Sequence, residues 1–363
     1  MQRILVLGSG QLGLMLAEAG ARWGMTIDLL DIDQQLIHYG SSRTARPLDD
    51  FDPDNDYDII TIEREHLPDT ALVNTLRQHP GWRGEQALIN IADRQRQKAM
   101  LDRLKLPTAP WLAVATDADL VGIHDRLGPD VILKVAKGGY DGRGQWHLQA
   151  DKLVSEPLLP PGSRAIAEQQ IPFEREVSII GARNRADQCV FYPLTWNVHI
   201  AGMLRHSVAP APDSTHLQQQ AETILRTIMR GLDYEGVMAA ELFVKDKQLL
   251  VNEIAPRVHN SGHWTQTGAD PNQFQLHLLA LMNYPLPTPQ ASGFTGMLNI
   301  VGLEFTPDWL TQPGIDVHWY GKSVREGRKL GHINLVADSH QELLRRLDET
   351  HRLLYDRRLN GVE

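Results

Sequence analysis

Short apolar runs separated by turn residues organise the first part of the chain. Arg3–Leu7 and Thr26–Leu30 predict two β-strands, and Leu14–Trp23 between them predicts a helix with small residues on one side. Asp58–Ile62 and Leu88–Ile91 predict a third and a fourth strand. This alternation of strand and helix indicates an α/β unit.

The pattern changes after a helix that we expect at Arg94–Lys105, with Asp93 as its N-cap and Pro107 after its end. Strand pairs with glycine turns predominate from about residue 111 to 285, and the proline- and glycine-rich run Tyr284–Gly293 marks a second boundary. Further helices are predicted at Leu217–Gly231, Phe274–Met282 and Ser339–Leu354. We therefore expect three domains, at residues 1–92, 93–285 and 286–363.

The composition is that of a globular protein, with 42% hydrophobic residues. No apolar stretch approaches the roughly 18 residues of a membrane helix. The N-terminal run Ile4–Leu7 is shorter than the apolar region of a secretory signal, which has roughly 7–15 residues. Cys189 is the only cysteine, which excludes an internal disulfide and a cysteine-based zinc cluster. We expect a cytoplasmic protein without a membrane partner.

The charge balance argues against a nucleic-acid partner. The net charge is −9, and no long basic run offers a footprint for a phosphate backbone. The basic residues form small local groups instead, which favours a small anionic ligand.

A glycine motif stands between the first strand and the first helix. Gly8–Gly13 matches G-x-G-x-x-G, and Asp31 ends the second strand about 20 residues later, where a dinucleotide-binding protein has its ribose carboxylate. The motif alone leaves two alternatives open. It indicates either NAD binding or a tight turn into a helix whose N-terminus attracts another anion.

Met238–Ile254 predicts a β-hairpin with two facing carboxylates. If the turn is centred on Lys247, Phe243 faces Val251 and Glu241 faces Glu253. Like charges directly opposite on a sheet are destabilising, so we expect a cation between them. A small number of oxygen ligands suits Mg²⁺, which takes phosphate oxygens and waters as its other ligands. The alternative is a pair of solvated glutamates, or a register shifted by one residue.

A second hairpin predicts a flexible phosphate-binding flap. The strand Val131–Val135 carries Lys134, Gln145–Leu148 returns beside it, and Lys137–Gly144 between them contains four glycines. Bare backbone N–H groups in such a loop can approach phosphates. Lys134, Lys137 and Arg143 favour an anion, although an ordinary flexible turn is the alternative.

Two further segments carry polar residues that suit a nucleotide. The strand Ala165–Ile171 ends in polar residues, so the backbone of Glu168–Ile171 could read an adenine edge, and Glu176 could accept hydrogen bonds from ribose hydroxyls. Arg94 and Lys98 lie four residues apart on one face of the predicted helix. Both are ambiguous, because charges on a helix are usually solvated.

These pieces in this order resemble the ATP-grasp superfamily. Within it the sequence is similar to the N5-carboxyaminoimidazole ribonucleotide synthases, the bicarbonate-using enzymes of bacterial and fungal purine synthesis. The similarity covers nearly the whole chain and rests on Gly8–Met15, Ile91–Lys98, Lys137–Trp146, Asn252–Thr265 and His318–Asn334. It implies an α/β (α+β) ATP-grasp fold with an N-terminal Rossmann-like pre-ATP-grasp domain and a small C-terminal domain.

The resemblance also implies an activity and an ATP site. The activity is carboxylation of 5-aminoimidazole ribonucleotide with ATP and bicarbonate, through carboxyphosphate, in a homodimeric enzyme. Glu241 and Glu253 would hold Mg²⁺, with Mn²⁺ as a possible substitute. ATP would be bound by Arg94, Lys134, Gly139, Tyr140, Asp141, Gly142, Arg143, Gly144, Gln145, Glu168, Gln169, Gln170, Ile171, Glu176, His199, Asn252 and Glu253.

The remaining candidate residues serve bicarbonate and the ribonucleotide. Arg257 can form a fork with the bicarbonate oxygens, Asn260 can donate to the same anion, and Asp141 could orient the attacking amine. The ribonucleotide would be bound by Gln11, Leu12, Tyr140, Asp141, Arg143, Lys322, Arg328 and Lys329.

Some assignments stay open at this point. His259 and His263 either brace their loop or take part in catalysis. Arg64 stands where the family usually has an apolar residue, which leaves the roles of Glu63 and Glu65 undecided. The competing functions are an NAD-dependent oxidoreductase, an ATP-grasp enzyme that activates formate or another acid, and a non-catalytic nucleotide sensor.

Overall fold

The structure is a computed structural model that describes residues 2–42, 44–49, 51–139, 144–151, 159 and 162–355 of the 363-residue chain. Its N-terminal part is a five-stranded sheet in the order β4-β3-β2-β1-β5. The central strand β1 pairs in parallel with β2 and β5, and Leu5 and Leu7 are fully buried in it. The elements are β1 (Arg3–Leu7), α1 (Gln11–Ala21), β2 (Thr26–Asp31), β3 (Leu36–Tyr39), β4 (Ala45–Pro47), α2 (Pro53–Asp56), β5 (Ile59–Ile62), α3 (Ala71–Leu76) and α4 (Glu85–Ile91).

The predicted strand at Leu88–Ile91 is wrong, because this segment is the end of helix α4. Gly84 precedes the helix with a φ of 83°, a conformation that glycine adopts without steric cost. Ala87, Leu88 and Ile91 are all buried. Their spacing of one and three residues fits one face of a helix, so an apolar run that resembles a strand folds as a short helix.

A four-stranded antiparallel sheet in the order β6-β9-β7-β8 follows. It contains the predicted flap hairpin, with Lys134 paired to Gln145 next to the connecting loop. The predicted N-cap of α5 is confirmed, since the Asp93 carboxylate accepts hydrogen bonds from the backbone N–H groups of Gln95 and Arg96. The elements are α5 (Arg94–Arg103), β6 (Trp111–Val114), α6 (Ile123–Leu127), β7 (Asp130–Val135), β8 (Gln145–Gln149) and β9 (Ala165–Gln169).

The rest of the described chain is organised by one nine-stranded sheet in the order β15-β14-β10-β12-β13-β18-β20-β19, with β11 attached to β10. Helix α9 packs on β14, and α10 packs on β18 and β20. The elements are β10 (Arg175–Arg183), β11 (Cys189–Phe191), β12 (Thr195–Ile200), β13 (Met203–Ala209), α7 (Gln218–Gly231), β14 (Gly236–Lys245), β15 (Gln248–Ala255), α8 (Thr265–Gly268), β16 (Ala269–Asp270), α9 (Gln273–Leu281), β17 (Gln290–Ala291), β18 (Phe294–Val301), β19 (Ile315–Trp319), β20 (Lys329–Ala337) and α10 (His340–Tyr355).

The large sheet runs through the predicted boundary between the second and third domains. Strand β13 pairs with β18, for example through Val208 and Gly296, so the C-terminal strands extend the sheet of the preceding segment. The first helix is also tied to this part of the chain, because Met15 and Leu16 share a core with Phe274 and Leu278 of α9. The division at residues 92/93 and 285/286 remains a prediction. None of the described helices is both long and apolar enough to cross a membrane.

Candidate active site

A cavity of about 1150 Å³ lies where the three sheets meet. It is lined by the glycine turn after β1, the ends of β7 and β9, the hairpin β14–β15 and the loop before β20. Every described residue that the sequence predicted as a site residue lines it, namely Gln11, Leu12, Arg94, Lys134, Gly139, Gly144, Gln145, Glu168, Gln169, Gln170, Ile171, Glu176, His199, Glu241, Asn252, Glu253, Arg257, Asn260, Lys322, Arg328 and Lys329. The predicted flap residues Tyr140, Asp141, Gly142 and Arg143 lie outside the described residues.

The hairpin β14–β15 brings Glu241 and Glu253 directly opposite each other, as the sequence predicted. The predicted pairing of Phe243 with Val251 is wrong, because Phe243 pairs with Leu250. The turn consists of Asp246 and Lys247, and the ladder shifts by one residue between Leu242 and Glu241. This bulge compensates for the displaced turn and restores the predicted pairing of the two carboxylates.

The bulge residue is Asn252, which a regular strand would have turned away from the cavity. In the structure it lines the cavity, and its Oδ1 accepts a hydrogen bond of 3.4 Å from Lys134 Nζ. A regular strand would put Asn252 on the face opposite to Glu253, and the bulge reverses that orientation. Extra residues in a ladder commonly redirect a side chain in this way beside functional sites.

The two glutamates have cationic or protonatable neighbours. Arg94 Nη2 lies 3.6 Å from Glu253 Oε1, and His259 Nε2 lies 3.7 Å from Glu241 Oε1. Burial raises the pKa of Glu241 to about 7; His199 opposes the shift, and the negative charge of Glu253 adds to it. The two opposed carboxylates provide oxygen ligands that fit a divalent cation such as Mg²⁺, whose charge would offset the cost of burying Glu241 in its ionised form.

Glu176 and His199 form a second polar group on the neighbouring strands. Glu176 Oε2 lies 3.0 Å from His199 Nδ1. Burial disfavours the charged imidazole, but the hydrogen bond to Glu176 and the charges of Glu241 and Glu176 outweigh it and raise the pKa of His199. One ligand atom each from Glu176, His199 and Glu241 lie within 4.8 Å of one another. These three side chains therefore form one polar wall of the cavity.

Lys134 is held at the cavity by Glu168. Glu168 Oε2 lies 2.7 Å from Lys134 Nζ, and the other carboxylate oxygen contacts Lys98 Nζ. The Glu168 side chain is thus engaged by the two lysines, and only the backbone of this residue remains available to a ligand. Lys98 is only 1% exposed, so the alternative of a solvated helix charge is wrong for it.

An aromatic pair that the sequence-based prediction missed lies beside these groups. Phe173 and Phe243 both line the cavity, and their rings stack with centroids 4.5 Å apart and an interplanar angle of 5°. Phe243 stands two residues from Glu241 on β14, and alternate residues of a strand share a face. That periodicity could have indicated Phe243, whereas Phe173 lies in the connection between β9 and β10 and gives no such signal.

The loop after β15 carries the predicted bicarbonate residues. Arg257 Nη2 donates to Glu65 Oε1 at 2.7 Å, and its Nη1 donates to the carbonyl of Val258 at 3.0 Å. Asn260 exchanges two hydrogen bonds with the buried Asn299, at 3.0 and 2.8 Å. These contacts fix the orientation of both predicted anion-binding side chains before a ligand binds.

The two histidines of this loop have different surroundings. His259 lines the cavity, and its Nδ1 accepts a hydrogen bond from the backbone N–H of Ser261. His263 is buried, and its Nδ1 lies 3.0 Å from the side-chain amide nitrogen of Gln273. His263 therefore braces the loop from behind, and His259 is the one that faces a ligand.

The loop before β20 gives the cavity a cationic part. Lys322 Nζ donates to Gln11 Oε1, which joins the loop before β20 to the glycine turn. Burial and the positive charges of Arg328 and Lys329 lower the pKa of Lys322 to about 8. Arg328 donates to the hydroxyl of Ser323 at 2.7 Å. This group suits a phosphate monoester, which would offset the mutual repulsion of the cations.

Asp31, whose carboxylate a dinucleotide site would use to bind a ribose, is already hydrogen-bonded within the protein. Its carboxylate accepts hydrogen bonds from the Ser9 hydroxyl at 2.9 Å and from the backbone N–H groups of Asp33 and Gln34 at 3.1 and 3.0 Å. Of the two alternatives for the glycine motif, the structure therefore favours the tight turn into a helix over NAD binding.

Comparison with known proteins matches all parts of the chain. Three family models match it, a ribonucleotide synthetase preATP-grasp domain at residues 1–91, an ATP-grasp domain at 99–274, and a phosphoribosylaminoimidazole carboxylase C-terminal domain at 295–346. The N5-carboxyaminoimidazole ribonucleotide synthase of Escherichia coli strain K12 is 43% identical over 362 residues, which is 100% of this chain and 98% of that protein. The chain belongs to the N5-carboxyaminoimidazole ribonucleotide synthase family.

Solved structures of family members have the same fold. The crystal structure of the synthetase from Thermus thermophilus is 35% identical, has a TM-score of 0.84 and aligns over 97% of this chain and 98% of that one. The Aspergillus clavatus enzyme in complex with ADP and 5-aminoimidazole ribonucleotide is 26% identical with a TM-score of 0.84, over 98% and 99% of the two chains. The predicted α/β ATP-grasp fold, with its pre-ATP-grasp and C-terminal domains, is thereby confirmed.

Glu63 and Glu65, on either side of the unusual Arg64, have different surroundings. Arg64 turns outward and pairs with Asp33 at 2.9 Å. Glu65 and Glu63 both line the cavity, Glu65 in contact with Arg257 and Glu63 almost fully buried beside His277, with 3.4 Å between Glu63 Oε1 and His277 Nε2. The structure thus places both carboxylates at the cavity, one exposed and paired with a cation and the other buried.

Proposed function

We propose that this protein is an ATP-dependent carbon–nitrogen ligase that carboxylates 5-aminoimidazole ribonucleotide to N5-carboxyaminoimidazole ribonucleotide, with release of ADP and phosphate. The relatives that it matches carry this name, and one of them binds ADP and the ribonucleotide. The observation that carries the proposal is one continuous cavity. It is lined by the glutamate pair, Lys134, Arg257, Lys322 and Arg328 together.

The chemistry explains why ATP and the acceptor must share a cavity. Bicarbonate is a poor electrophile, because its negative charge repels a nucleophile and hydroxide leaves badly. Transfer of the γ-phosphoryl group gives carboxyphosphate, which has phosphate as its leaving group and is lost to hydrolysis if water reaches it. Such transfers are catalysed mainly by positioning and charge neutralisation. The amine must therefore wait beside the site where the intermediate forms.

The ATP end would be built from the predicted ATP residues. Lys134 and Arg94 supply positive charge for the phosphates, Glu176 lies where ribose hydroxyls could donate to it, and the backbone of Glu168–Ile171 would read the adenine edge. Gly139, Gly144 and Gln145 are the described ends of the flap and would cover the phosphates with backbone N–H groups.

Glu241 and Glu253 would hold Mg²⁺, and Mn²⁺ would fit the same oxygen ligands. The metal would supply neutralisation of the charge on the phosphate oxygens. The support is the direct opposition of the two carboxylates and the raised pKa of Glu241.

Arg257 and Asn260 would bind bicarbonate. The Arg257 guanidinium has five N–H donors, of which two are used by Glu65 and Val258, so donors remain for an anion. Asn260 keeps one amide N–H beyond its exchange with Asn299. Asp141 of the flap would orient the amine, an assignment that rests on the family resemblance.

Gln11, Leu12, Lys322, Arg328 and Lys329 would bind the ribonucleotide, with Tyr140, Asp141 and Arg143 completing the site from the flap. The cationic loop fits the 5′-phosphate, and the contact of Lys322 with Gln11 places it beside the glycine turn. In this proposal the turn serves a ribonucleotide and not a dinucleotide.

The deciding experiment measures phosphate release from Mg-ATP in the presence of bicarbonate, with and without 5-aminoimidazole ribonucleotide. We expect release that depends on the ribonucleotide, together with consumption of its amine. Release that requires formate or another acid and a different acceptor would keep the ATP chemistry and overturn the substrate. Tight NADH binding without phosphate release would overturn the proposal as a whole.

The resemblance further implies a homodimer in the cytoplasm. Light scattering on the purified chain should give about twice the 40.8 kDa chain mass, and a monomeric mass would contradict the dimer. Fractionation of cells that express the protein tests the location.

A further inference from the structure

Lys98, Glu168 and Lys134 form a buried row that begins behind the cavity and ends at its wall. Lys98 Nζ contacts one oxygen of Glu168, and Lys134 Nζ lies 2.7 Å from the other. Lys98 and Glu168 are 1% and 4% exposed, and Lys134 lines the cavity whereas Lys98 does not. One carboxylate is thus shared between a lysine that can meet a ligand and a lysine that cannot.

The charges of the three groups explain what the hidden lysine does. Burial disfavours the charged form of Glu168, but the two lysines outweigh it and lower the pKa of Glu168 to about 2. Burial lowers the pKa of Lys98, and the charge of the adjacent Glu168 opposes that shift. With both lysines protonated, the row carries two positive charges and one negative charge. If Glu168 were paired with Lys134 alone, the pair would be neutral and would attract a polyanion only weakly. With Lys98 present, one positive charge remains at the cavity wall.

The row is also fixed in position from several sides. Lys98 Nζ donates to the hydroxyl of Thr108 at 2.5 Å, and that hydroxyl donates to the carbonyl of Val251 at 2.7 Å. Lys134 reaches Asn252, the residue that follows Val251. Helix α5 is thereby connected to β9, β7 and the bulge of β15, the elements that surround the ATP end of the cavity.

We propose that Lys98 is a positioning residue for phosphate binding. Through Glu168 it holds the Lys134 ammonium at the cavity wall and leaves the pair with a net positive charge for the phosphates of ATP. The proposal rests on the proposed use of ATP. It concerns a residue that does not line the cavity, and it deepens the proposed function by explaining how the pair of Lys134 and Glu168 is left with a net positive charge.

The charge account makes a prediction that a purely structural role does not. In Lys98→Met the row becomes neutral, so binding of nucleotides with phosphates should weaken while binding of the nucleoside stays the same. Titration calorimetry with adenosine and with ADP plus Mg²⁺ measures both. We expect about a tenfold loss for ADP, the size that corresponds to one charge interaction of moderate strength, and less than about a twofold change for adenosine.

The double variant Lys98→Met/Glu168→Gln separates charge from packing. It removes one positive and one negative charge, which restores the net positive charge at Lys134 and leaves no unpaired buried ion. We expect its ADP affinity to return to within about threefold of the wild type. This variant also keeps the proposal testable if Lys98→Met alone does not fold, because the double variant must then bind ADP normally.

Kinetics give a second readout. The KM for ATP should rise in Lys98→Met by about the same factor as the ADP dissociation constant, with the KM for bicarbonate unchanged. Arg103→Met is the matched control, because Arg103 is an exposed cation at the end of the same helix. Its nucleotide binding should be that of the wild type.

Three outcomes would overturn the proposal. Unchanged ADP affinity in Lys98→Met would show that the hidden charge is irrelevant, and equal losses for ADP and adenosine would reduce Lys98 to a packing role. A double variant that folds but binds ADP poorly would refute the charge account. Failure of the proposed function is distinguishable from all of these, because the wild-type protein would then not bind ADP.

Discussion

Glu241 and Glu253 are paired directly across the β14–β15 hairpin, although the turn by itself would place them one residue out of register. The two-residue turn at Asp246 and Lys247 pairs Leu242 with Val251, and the bulge at Asn252 then shifts the ladder so that the two carboxylates meet. The same bulge turns Asn252 toward Lys134. One irregularity thus brings together three of the groups that the proposed function assigns to the phosphates of ATP and their metal ion.

The glutamate pair gives the first prediction. Glu253→Gln keeps the size of the side chain and removes the negative charge that a divalent cation requires. We expect Mg²⁺-dependent turnover to fall at least about a hundredfold. The Glu253 side chain is 54% exposed, so the thermal unfolding midpoint should remain close to that of the wild type. Phosphate release and a thermal melt measure the two effects.

Glu174→Gln is the matched control for this change. Glu174 is an exposed glutamate that accepts a hydrogen bond from the backbone of Asp246 at the turn of the same hairpin, far from the paired carboxylates. It should retain wild-type activity. Near-normal turnover of Glu253→Gln would remove Glu253 from the metal site.

The hairpin also shows how much of the site could be predicted from local sequence patterns. The facing glutamates were predictable, because strand periodicity and a polar turn limit the register to a few choices. The bulge was not, since nothing in the sequence around Asn252 distinguishes an extra residue from a regular one. The prediction was right about Glu241 and Glu253 because an incorrect turn centre and an unseen bulge compensate for each other.

Contacts between distant segments account for most of what the sequence could not show. Lys98 has the pattern of a solvated helix charge, and only its packing against Glu168, 70 residues later in the chain, makes it a buried cation. The orientation of Asn260 depends on Asn299 in the same way. Periodicity predicts which face of a helix or strand a residue occupies. It does not predict which residue of another element that side chain contacts.

Phe173 gives the second prediction. It stacks on Phe243 at the cavity wall and is still 42% exposed, so its ring can contact a nucleobase or hold Phe243 against one. Phe173→Ala should lower the affinities for ADP and for adenosine by the same factor, about two- to tenfold, which is the range for one aromatic contact. Calorimetric titration with both ligands measures it.

Tyr284→Ala is the control for Phe173, since Tyr284 is 47% exposed and does not line the cavity. Equal losses for nucleoside and nucleotide would distinguish this site from Lys98, whose removal should affect only ligands with phosphates. An unchanged adenosine affinity in Phe173→Ala would contradict a nucleobase contact.

Glu63 gives a prediction on pH-dependent stability. Its side chain is 1% exposed, neither carboxyl oxygen has a hydrogen-bond partner among the described residues, and burial raises its pKa to about 8, with the charge of Arg257 opposing. The folded protein therefore holds this proton more tightly than the unfolded chain. The resulting stabilisation is fully present below the unfolded pKa of 4.5 and is lost as the pH rises toward about 8.

Glu63→Gln removes this titration and leaves the surrounding groups in place. The free energy of unfolding of the wild type, relative to the variant, should fall by up to about 1.4 kcal/mol per pH unit between these limits. Denaturant melts of both proteins at several pH values measure the difference. The neighbouring His277, whose pKa burial lowers to about 3, is present in both proteins and cancels. If the free energies of unfolding of the two proteins changed in parallel with pH, Glu63 would be ionised in the folded state, which would contradict the prediction.

Arg257 gives the last prediction, because its planar guanidinium can hold two oxygens of one anion while it keeps its contact with Glu65. Arg257→Lys retains the charge and loses the fork, so the KM for bicarbonate should rise about tenfold with the KM for ATP little changed. Arg325→Lys, in the cationic part of the same cavity, is the control and should leave bicarbonate use unaffected. Initial rates at varied bicarbonate measure both variants. If Arg257→Lys instead raised only the KM for the ribonucleotide, Arg257 would belong to the acceptor site, and bicarbonate would have to bind nearer to Asn260.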